Sequence, residues 1–257
     1  MLPSERCGHR RGPLAKGFAV SSRSITEAEA FLRPLAQTDL FHDFTAAELA
    51  TLAASARPRA FREGQVIFHR DDPGTGFYVV RYGLVKISIV APDGQETLVS
   101  LLGPGEPFGE MAILDGQPRS ATATAMERTE TIYVSREGFL RFLDEHPAAM
   151  RKIMVMLIRR LRAATEHLAD LVFHDVYGRL AKKLLELGEL HGRAYQDGRV
   201  EIQLALTQQD LANLVGASRE SVNKVMKLYR DKGYIAVQSH RITLLQPREL
   251  QRRVELG

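Results

Sequence analysis

The stretch with the densest chemistry in this chain is Phe108-Gly-Glu-Met-Ala-Ile-Leu-Asp-Gly-Gln-Pro-Arg-Ser-Ala-Thr122. Gly109 leads into a short apolar helical turn. A tight Asp115-Gly116 turn then brings the chain to Pro118-Arg119-Ser120, just before a strand. Backbone N–H groups at the start of a helical turn suit an anion. Arg119 offers a planar fork for a phosphate and Ser120 a hydroxyl donor. Glu110 offers a carboxylate that accepts from a sugar hydroxyl. Phosphate plus ribose is the simplest ligand that satisfies all of these groups. The plainer alternative is a structural Arg119–Glu110 pair with no ligand.

A second constellation lies between Thr207 and Tyr229. Thr207 caps a first helix with Asp210 at the box position, Gly216 makes a tight turn, and Ser218 caps a second helix. On that second helix Val222, Val225, Met226 and Tyr229 fall on one face. Arg219, Glu220, Asn223, Lys224 and Lys227 are left outward. A DNA major groove asks for such groups: Arg or Lys for guanine, Glu for the cytosine amine, Asn for adenine. The competing reading is a packed helix pair whose charges are merely solvated. The eight histidines are scattered, with no metal spacing and no nucleophile–base pair, so neither a metal centre nor an enzyme is expected. Cys7 and His9 are within reach of one another as ligands of a metal or heme, but a ligand-free tail explains them more simply.

These groups need elements to hold them. Thr45-Ala-Ala-Glu48 is a capping box that opens a helix to about Ala56. From Phe61 to Val134 the pattern changes to short runs: Val66–Phe68, Phe77–Val80, Val85–Ile89, Thr97–Leu102, Ala121–Ala125 and Thr131–Val134. Turn signals such as Asp72-Pro-Gly74, Pro92-Asp-Gly94 and Gly103-Pro-Gly105 separate them. This is the signature of an antiparallel sandwich or barrel, here a jelly roll. A short helix follows over Arg136–His146.

Pro147 then starts a long helix to about Phe173. Met150, Met154, Leu157, Leu161, Ala164, Leu168 and Leu171 recur along it at heptad spacing. So narrow an apolar seam predicts pairing with a second helix. A core helix of a single domain is the alternative. Ala163, Ala164 and Thr165 are small, leaving room between two facing helices at that level. Asp175 caps a helix over Val176–Gly188, Val200–Leu204 reads as a strand, and Lys232–Val237 with Arg241–Leu245 reads as a two-stranded wing. The predicted fold class is therefore α+β. Residues 1–30 read as an extension, 31–146 as a β-roll, 147–174 as a pairing helix with its hinge, and 175–257 as a winged helix-turn-helix domain.

Composition agrees. The 257 residues are long enough for two domains, and 44% hydrophobic with 26% charged residues is the balance of a soluble globular chain. No apolar run is long enough to span a membrane. One cysteine excludes a disulfide framework and suits a reducing cytoplasm. Residues 174–257 carry 14 Lys and Arg against 10 Asp and Glu, whereas 26–173 carry 16 against 20. A basic C-terminal third beside an acidic middle points that third at a polyanion. Residues 1–25 are rich in Arg, Gly, Ser and Pro, nearly free of acids, and without strong amphipathic pattern.

From about Asp39 to Leu250 the order β-roll, long helix, winged helix resembles the bacterial cyclic-AMP receptor protein and FNR superfamily of transcription regulators. The cassette matches the family's Phe-Gly-Glu, small apolar turn, then Pro-Arg-Ser-Ala-Thr without a gap. Gly216-Ala-Ser-Arg-Glu-Ser-Val-Asn-Lys224 is similar to the family's reading helix. The resemblance implies a homodimer that binds a two-fold symmetric double-stranded DNA operator, responds to cyclic AMP, and meets RNA polymerase in the cytoplasm. It implies Ser100, Gly109, Glu110, Arg119 and Ser120 around ribose and cyclic phosphate. Arg160 would reach in from the long helix, and Ala164 and Thr165 would lie at the adenine level. It implies Arg219, Glu220 and Lys224 as base contacts, although the third is usually Arg, and Thr207, Ser218 and Ser221 as phosphate contacts. Asn223 joins them from the outward face.

One departure stands out. Ala164 occupies the position that usually holds an adenine-bonding Thr, so only Thr165, which would reach across from the partner subunit, keeps a hydroxyl for the purine edge. One lost hydrogen bond is worth on the order of 1 kcal/mol. The FNR branch needs several cysteines for an iron–sulfur cluster, and the carbon-monoxide-sensing branch a heme ligand inside the roll. Neither pattern is present, so no metal, heme or cluster is expected. Two other functions remain open at this stage: a ligand-independent DNA-binding member of the same superfamily, and an enzyme controlled by a cyclic-nucleotide domain.

Overall fold

Thr45 opens helix α1 (Ala46–Ala54). Its N–H donates to the Glu48 carboxylate at 2.8 Å while its hydroxyl accepts from the Glu48 N–H at 3.3 Å. The structure, a computed structural model, describes residues 35–36, 38, 40–238 and 240–255. The expected extension over residues 1–30, with Cys7 and His9, lies outside the described residues. Helix α1 ends two residues earlier than the sequence suggests, because the chain enters strand β1 (Ala56–Phe61) at Ala56. This strand was not expected: Arg57, Pro58, Arg59 and Ala60 are all exposed, with no alternation to read. It is an edge strand, where a proline costs no ladder bond.

The roll continues with β2 (Val66–Phe68), β3 (Gly76–Tyr82), β4 (Val85–Val90), β5 (Glu96–Leu102) and β6 (Pro107–Phe108). A one-turn helix, α2 (Met111–Leu114), precedes β7 (Thr122–Ala125) and β8 (Thr129–Ser135). Two antiparallel four-stranded sheets result, ordered β1-β8-β3-β6 and β2-β7-β4-β5. Their inward residues bury Val80, Val85, Leu102, Phe108 and Ala123 between them. Helix α3 (Arg136–Glu145) closes one end, placing Phe139 and Phe142 against Phe77 and Phe41.

Helix α4 runs unbroken from Pro147 to Phe173. Ala149 and Ile153 are buried against the roll. Further along the helix Leu161 is 68% and Leu168 63% exposed, part of an uncovered apolar stripe.

After His174 come α5 (Val176–His191), β9 (Gly192–Ala194), β10 (Val200–Ile202), α6 (Gln208–Val215), α7 (Arg219–Asp231), β11 (Ile235–Gln238), β12 (Arg241–Leu244) and α8 (Pro247–Glu255). The expected two-stranded wing is part of a four-stranded sheet, ordered β11-β12-β10-β9. Helix α8 was not anticipated. Its single fully buried residue, Leu250, is too little periodicity to read. Asp175 caps α5 by accepting from the Gly178 N–H at 2.8 Å, and its carboxylate also pairs with Arg253 of α8.

The C-terminal unit does not hang free. Helix α6 rests on β5, where Leu98 joins the apolar cluster around Leu211 and Leu214. Asn213 donates to Glu96 at 3.1 Å, and Lys86 donates to the same carboxylate at 2.7 Å. The edge of the second sheet is thereby covered by a helix rather than left open.

Candidate ligand pocket and nucleic-acid interface

Gly109 has a left-handed backbone, φ +81°, and a side chain there would come within 2.5 Å of the Arg119 guanidinium. Only glycine satisfies both demands. The opened space receives Arg119, which is 3% exposed. Its Nη1 donates to the Gly109 carbonyl at 2.5 Å and its Nη2 to the Gly76 carbonyl at 2.6 Å. Its Cζ lies over the Phe68 ring, 4.3 Å from the ring centroid. Among the described residues Arg119 pairs with no carboxylate, and its Nε is enclosed without a partner. Burial pushes its pKa down, a sign of how unfavourable the uncompensated charge is there.

Glu110 sits beside it, 2% exposed. It stands at the N-cap of α2 with helical dihedrals and makes no side-chain cap bond. Its Oε1 accepts from Nη1 of Arg160 at 2.6 Å instead. Arg160 also donates to the Pro107 carbonyl at 2.5 Å, so the long helix is tied directly to the cassette. Oε2 of Glu110 is enclosed without a partner. Burial pushes the Glu110 carboxyl above its ordinary value, against the pull of the Arg160 guanidinium.

The structure thus brings Gly109, Glu110, Arg119 and Arg160 together. Ser120 is exposed beside them, with its hydroxyl 3.9 Å from the sulfur of Met111. Ser100 is half-buried on β5 opposite Ile87, and no hydrogen bond among the described residues joins it to the cassette. Ala164 and Thr165 are exposed on the stripe side of α4, and the Thr165 hydroxyl donates back to the Leu161 carbonyl at 2.9 Å. Thr165 borders an open groove of about 390 Å³ shared with Ile158, Leu161, Arg162 and Glu166. Within one chain Thr165 thus faces this groove, and no hydrogen bond among the described residues joins it to the cassette.

In the helix-turn-helix, Thr207 accepts from the Asp210 N–H at 3.1 Å, and Ser218 accepts from the Ser221 N–H at 3.1 Å. Gly216 takes the left-handed turn at φ +61°. Val222, Val225, Met226 and Tyr229 are buried, which leaves Arg219, Glu220 and Lys224 exposed on the other face. Thr207 and Ser218 are exposed and Ser221 is half-buried. Asn223 is half-buried with its side-chain oxygen enclosed, so it is less outward than its neighbours. Sequence reasoning missed Phe68 and Gly76 in the pocket. Neither falls within the motif, and strand alternation alone does not say which core aromatic meets an arginine.

A buried arginine beside a glycine-led helical turn in a β-roll, followed by a helix-turn-helix with an exposed polar face, is the arrangement of a nucleotide-binding domain joined to a DNA-binding one. Residues 58–146 match the cyclic nucleotide-binding domain family, and residues 178–253 match the Crp-like helix-turn-helix domain. A CRP-like cAMP-activated global transcriptional regulator of Mycobacterium tuberculosis is 34% identical over 219 residues, 85% of this chain and 97% of that protein. A cyclic AMP receptor protein of Thermus thermophilus is 34% identical over 197 residues, 76% of this chain and 87% of that one. The structure of a c-di-GMP-responsive global regulator of Xanthomonas campestris superposes with a TM-score of 0.68 at 26% identity, covering 78% of this chain and 99% of that one. The chain belongs to the CRP/FNR family of transcription regulators.

Proposed function

We propose that this chain is a cyclic-nucleotide-responsive regulator whose effector is cyclic AMP. It works in the cytoplasm as a homodimer on a two-fold symmetric DNA operator, with RNA polymerase as a further partner. The observation that carries this reading is the buried, carboxylate-free guanidinium of Arg119. An uncompensated buried cation is costly, and a phosphate monoanion offsets that cost. Ser120 and the Gly109 region complete the phosphate site. Glu110 and Arg160 take the ribose, with Ser100 beside them, and Ala164 and Thr165 of the paired helices face the base. Residues 31–146 form the ligand domain, 147–174 the pairing helix and hinge, and 175–257 the DNA-binding domain.

On DNA, Arg219, Glu220, Asn223 and Lys224 read base edges while Thr207, Ser218 and Ser221 meet phosphates. Two such helices reach half-sites about one helical turn, roughly 34 Å, apart. The ligand acts by binding the DNA-competent arrangement more tightly than the alternative. A shift from 1:99 to 99:1 takes about 5.5 kcal/mol of differential affinity across the dimer's sites.

A second reading has its own support. Arg160 already neutralises Glu110, and Ala164 lacks a hydroxyl, which favours a regulator that binds DNA without ligand. Calorimetric titration with cyclic AMP and cyclic GMP, with gel shifts in the presence and absence of each, separates the two. Heat on cyclic AMP addition and a ligand-dependent shift are expected, both lost in Arg119→Leu. No heat with either nucleotide, together with an unconditional shift, establishes the second reading instead.

A further inference from the structure

We infer that Phe68 is a positioning residue for Arg119: its ring fixes the tilt of the guanidinium plane that receives the phosphate. This inference rests on the phosphate-site reading above. Two in-plane hydrogen bonds, from Nη1 to Gly109 and Nη2 to Gly76, hold one edge of the guanidinium. They leave it able to rock about the line that joins them. A third contact, out of the plane, is needed to stop that rocking. The Phe68 ring, with the Arg119 Cζ over it 4.3 Å from the centroid, is placed to supply that contact. No carboxylate is paired to the cation among the described residues, so the negative face of the ring also attracts it.

The placement of Phe68 is built into the strand. On β2, Val66 faces Thr124 and Phe68 faces Ala123 of the neighbouring strand, so Ile67 is an extra residue. In a regular strand Ile67 and Phe68 point to opposite faces. The bulge turns both toward the cluster around Phe108. There the Phe68 ring lies 5.9 Å from Phe108 and 5.9 Å from Tyr78, which are themselves 5.2 Å apart and stacked. A ring wedged in this way is a fixed surface. Gly109 keeps the slot open, since a side chain there would stand 3.3 Å from Phe68 as well as against Arg119. An aliphatic residue at 68 fills similar space but offers no face that attracts a cation.

The test uses the full chain with Phe68→Leu, and with Phe68 replaced by phenylalanine bearing one, two or three ring fluorines. Fluorination drains the negative face while changing shape little. Each form is titrated calorimetrically with cyclic AMP, and its thermal melting is followed alongside. Cyclic AMP affinity is expected to fall stepwise with fluorine number, by about 2- to 30-fold at three fluorines. Melting should stay near that of the parent across the fluorinated series. A purely structural role predicts flat affinity across that series. If the parent binds cyclic AMP, Arg119→Leu abolishes binding and the fluorinated forms bind as the parent does, the role of Phe68 is overturned while the phosphate site stands. If the parent itself gives no heat, both fall together.

Discussion

Arg119 shows how one side chain in the wrong dielectric becomes a binding site. Its direct contacts are backbone carbonyls and an aromatic ring, with no carboxylate paired to it among the described residues. Glu110, which is close enough to affect it, is instead engaged by Arg160. A similar logic separates the outward residues of α7. Arg219, Glu220 and Lys224 are exposed with the inward face fully committed to the core, so they are free to meet base edges. Glu220→Ala is expected to relax operator choice, with discrimination at one base pair falling by about 1–3 kcal/mol. Binding measured against a panel of single-base operator variants checks this. Uniform weakening across the panel would show that Glu220 reads no base. On the proposed reading, Ala164→Thr adds a hydroxyl beside the base and should tighten cyclic AMP binding by about 1 kcal/mol, read in the same calorimetric titration.

At the scale of elements, β5 joins the two halves of the chain. Ser100 lies on it, and so do Glu96 and Leu98, which hold α6. The strand carries an irregularity opposite Ile87 and Ser88, and both Leu98 and Leu101 pack against the C-terminal core. Such a bulge re-aims side chains that strict alternation would send apart. Leu98→Ala should loosen this docking, with a loss of about 2–5 kcal/mol if the site cannot collapse, seen as separation of one melting transition into two. Glu96 adds a pH dependence. Burial would raise its carboxyl, but hydrogen bonds from Lys86, Ser88 and Asn213 outweigh that and hold it below the ordinary value of 4.5. Its contribution is therefore fully present above pH 4.5 and is lost as pH falls through the lower, folded value. Acid melting of the parent should show this loss of docking, and Glu96→Gln should make docking less sensitive to acid.

The whole molecule is shaped by what α4 leaves uncovered. Met154, Ile158, Leu161, Leu168 and Leu171 are exposed along a helix of 27 residues, a stripe too apolar to stay in water. In the proposed homodimer a second copy packs the same stripe, which would cover it and set two Ala164–Thr165 levels face to face. Leu161→Glu with Leu168→Glu should convert the protein to a monomer in sedimentation and abolish cooperative binding to a two-fold operator. An unchanged sedimentation coefficient would show that the stripe is not the pairing surface. The C-terminal end of α4 is tied to the helices that follow it. Asp170 accepts from Lys182 at 2.7 Å, and Arg179 donates to the carbonyls of His174 and Val215, each at 3.0 Å.

The amino-acid order by itself determined the succession of β-roll, long helix and winged helix, the heptad stripe, the two capping boxes, the Gly216 turn and the composition of the cassette. All of these are set by interactions within a few residues or by a simple period. The tertiary structure alone decided that β1 pairs despite its exposed Arg57-Pro58-Arg59, that Asn223 is partly turned in, that α8 folds back to Asp175, and that Phe68 lies over Arg119. Each depends on groups far apart in the chain meeting with a particular orientation. A strand bulge or an inter-domain contact sets that orientation, and no local pattern of residue types records it.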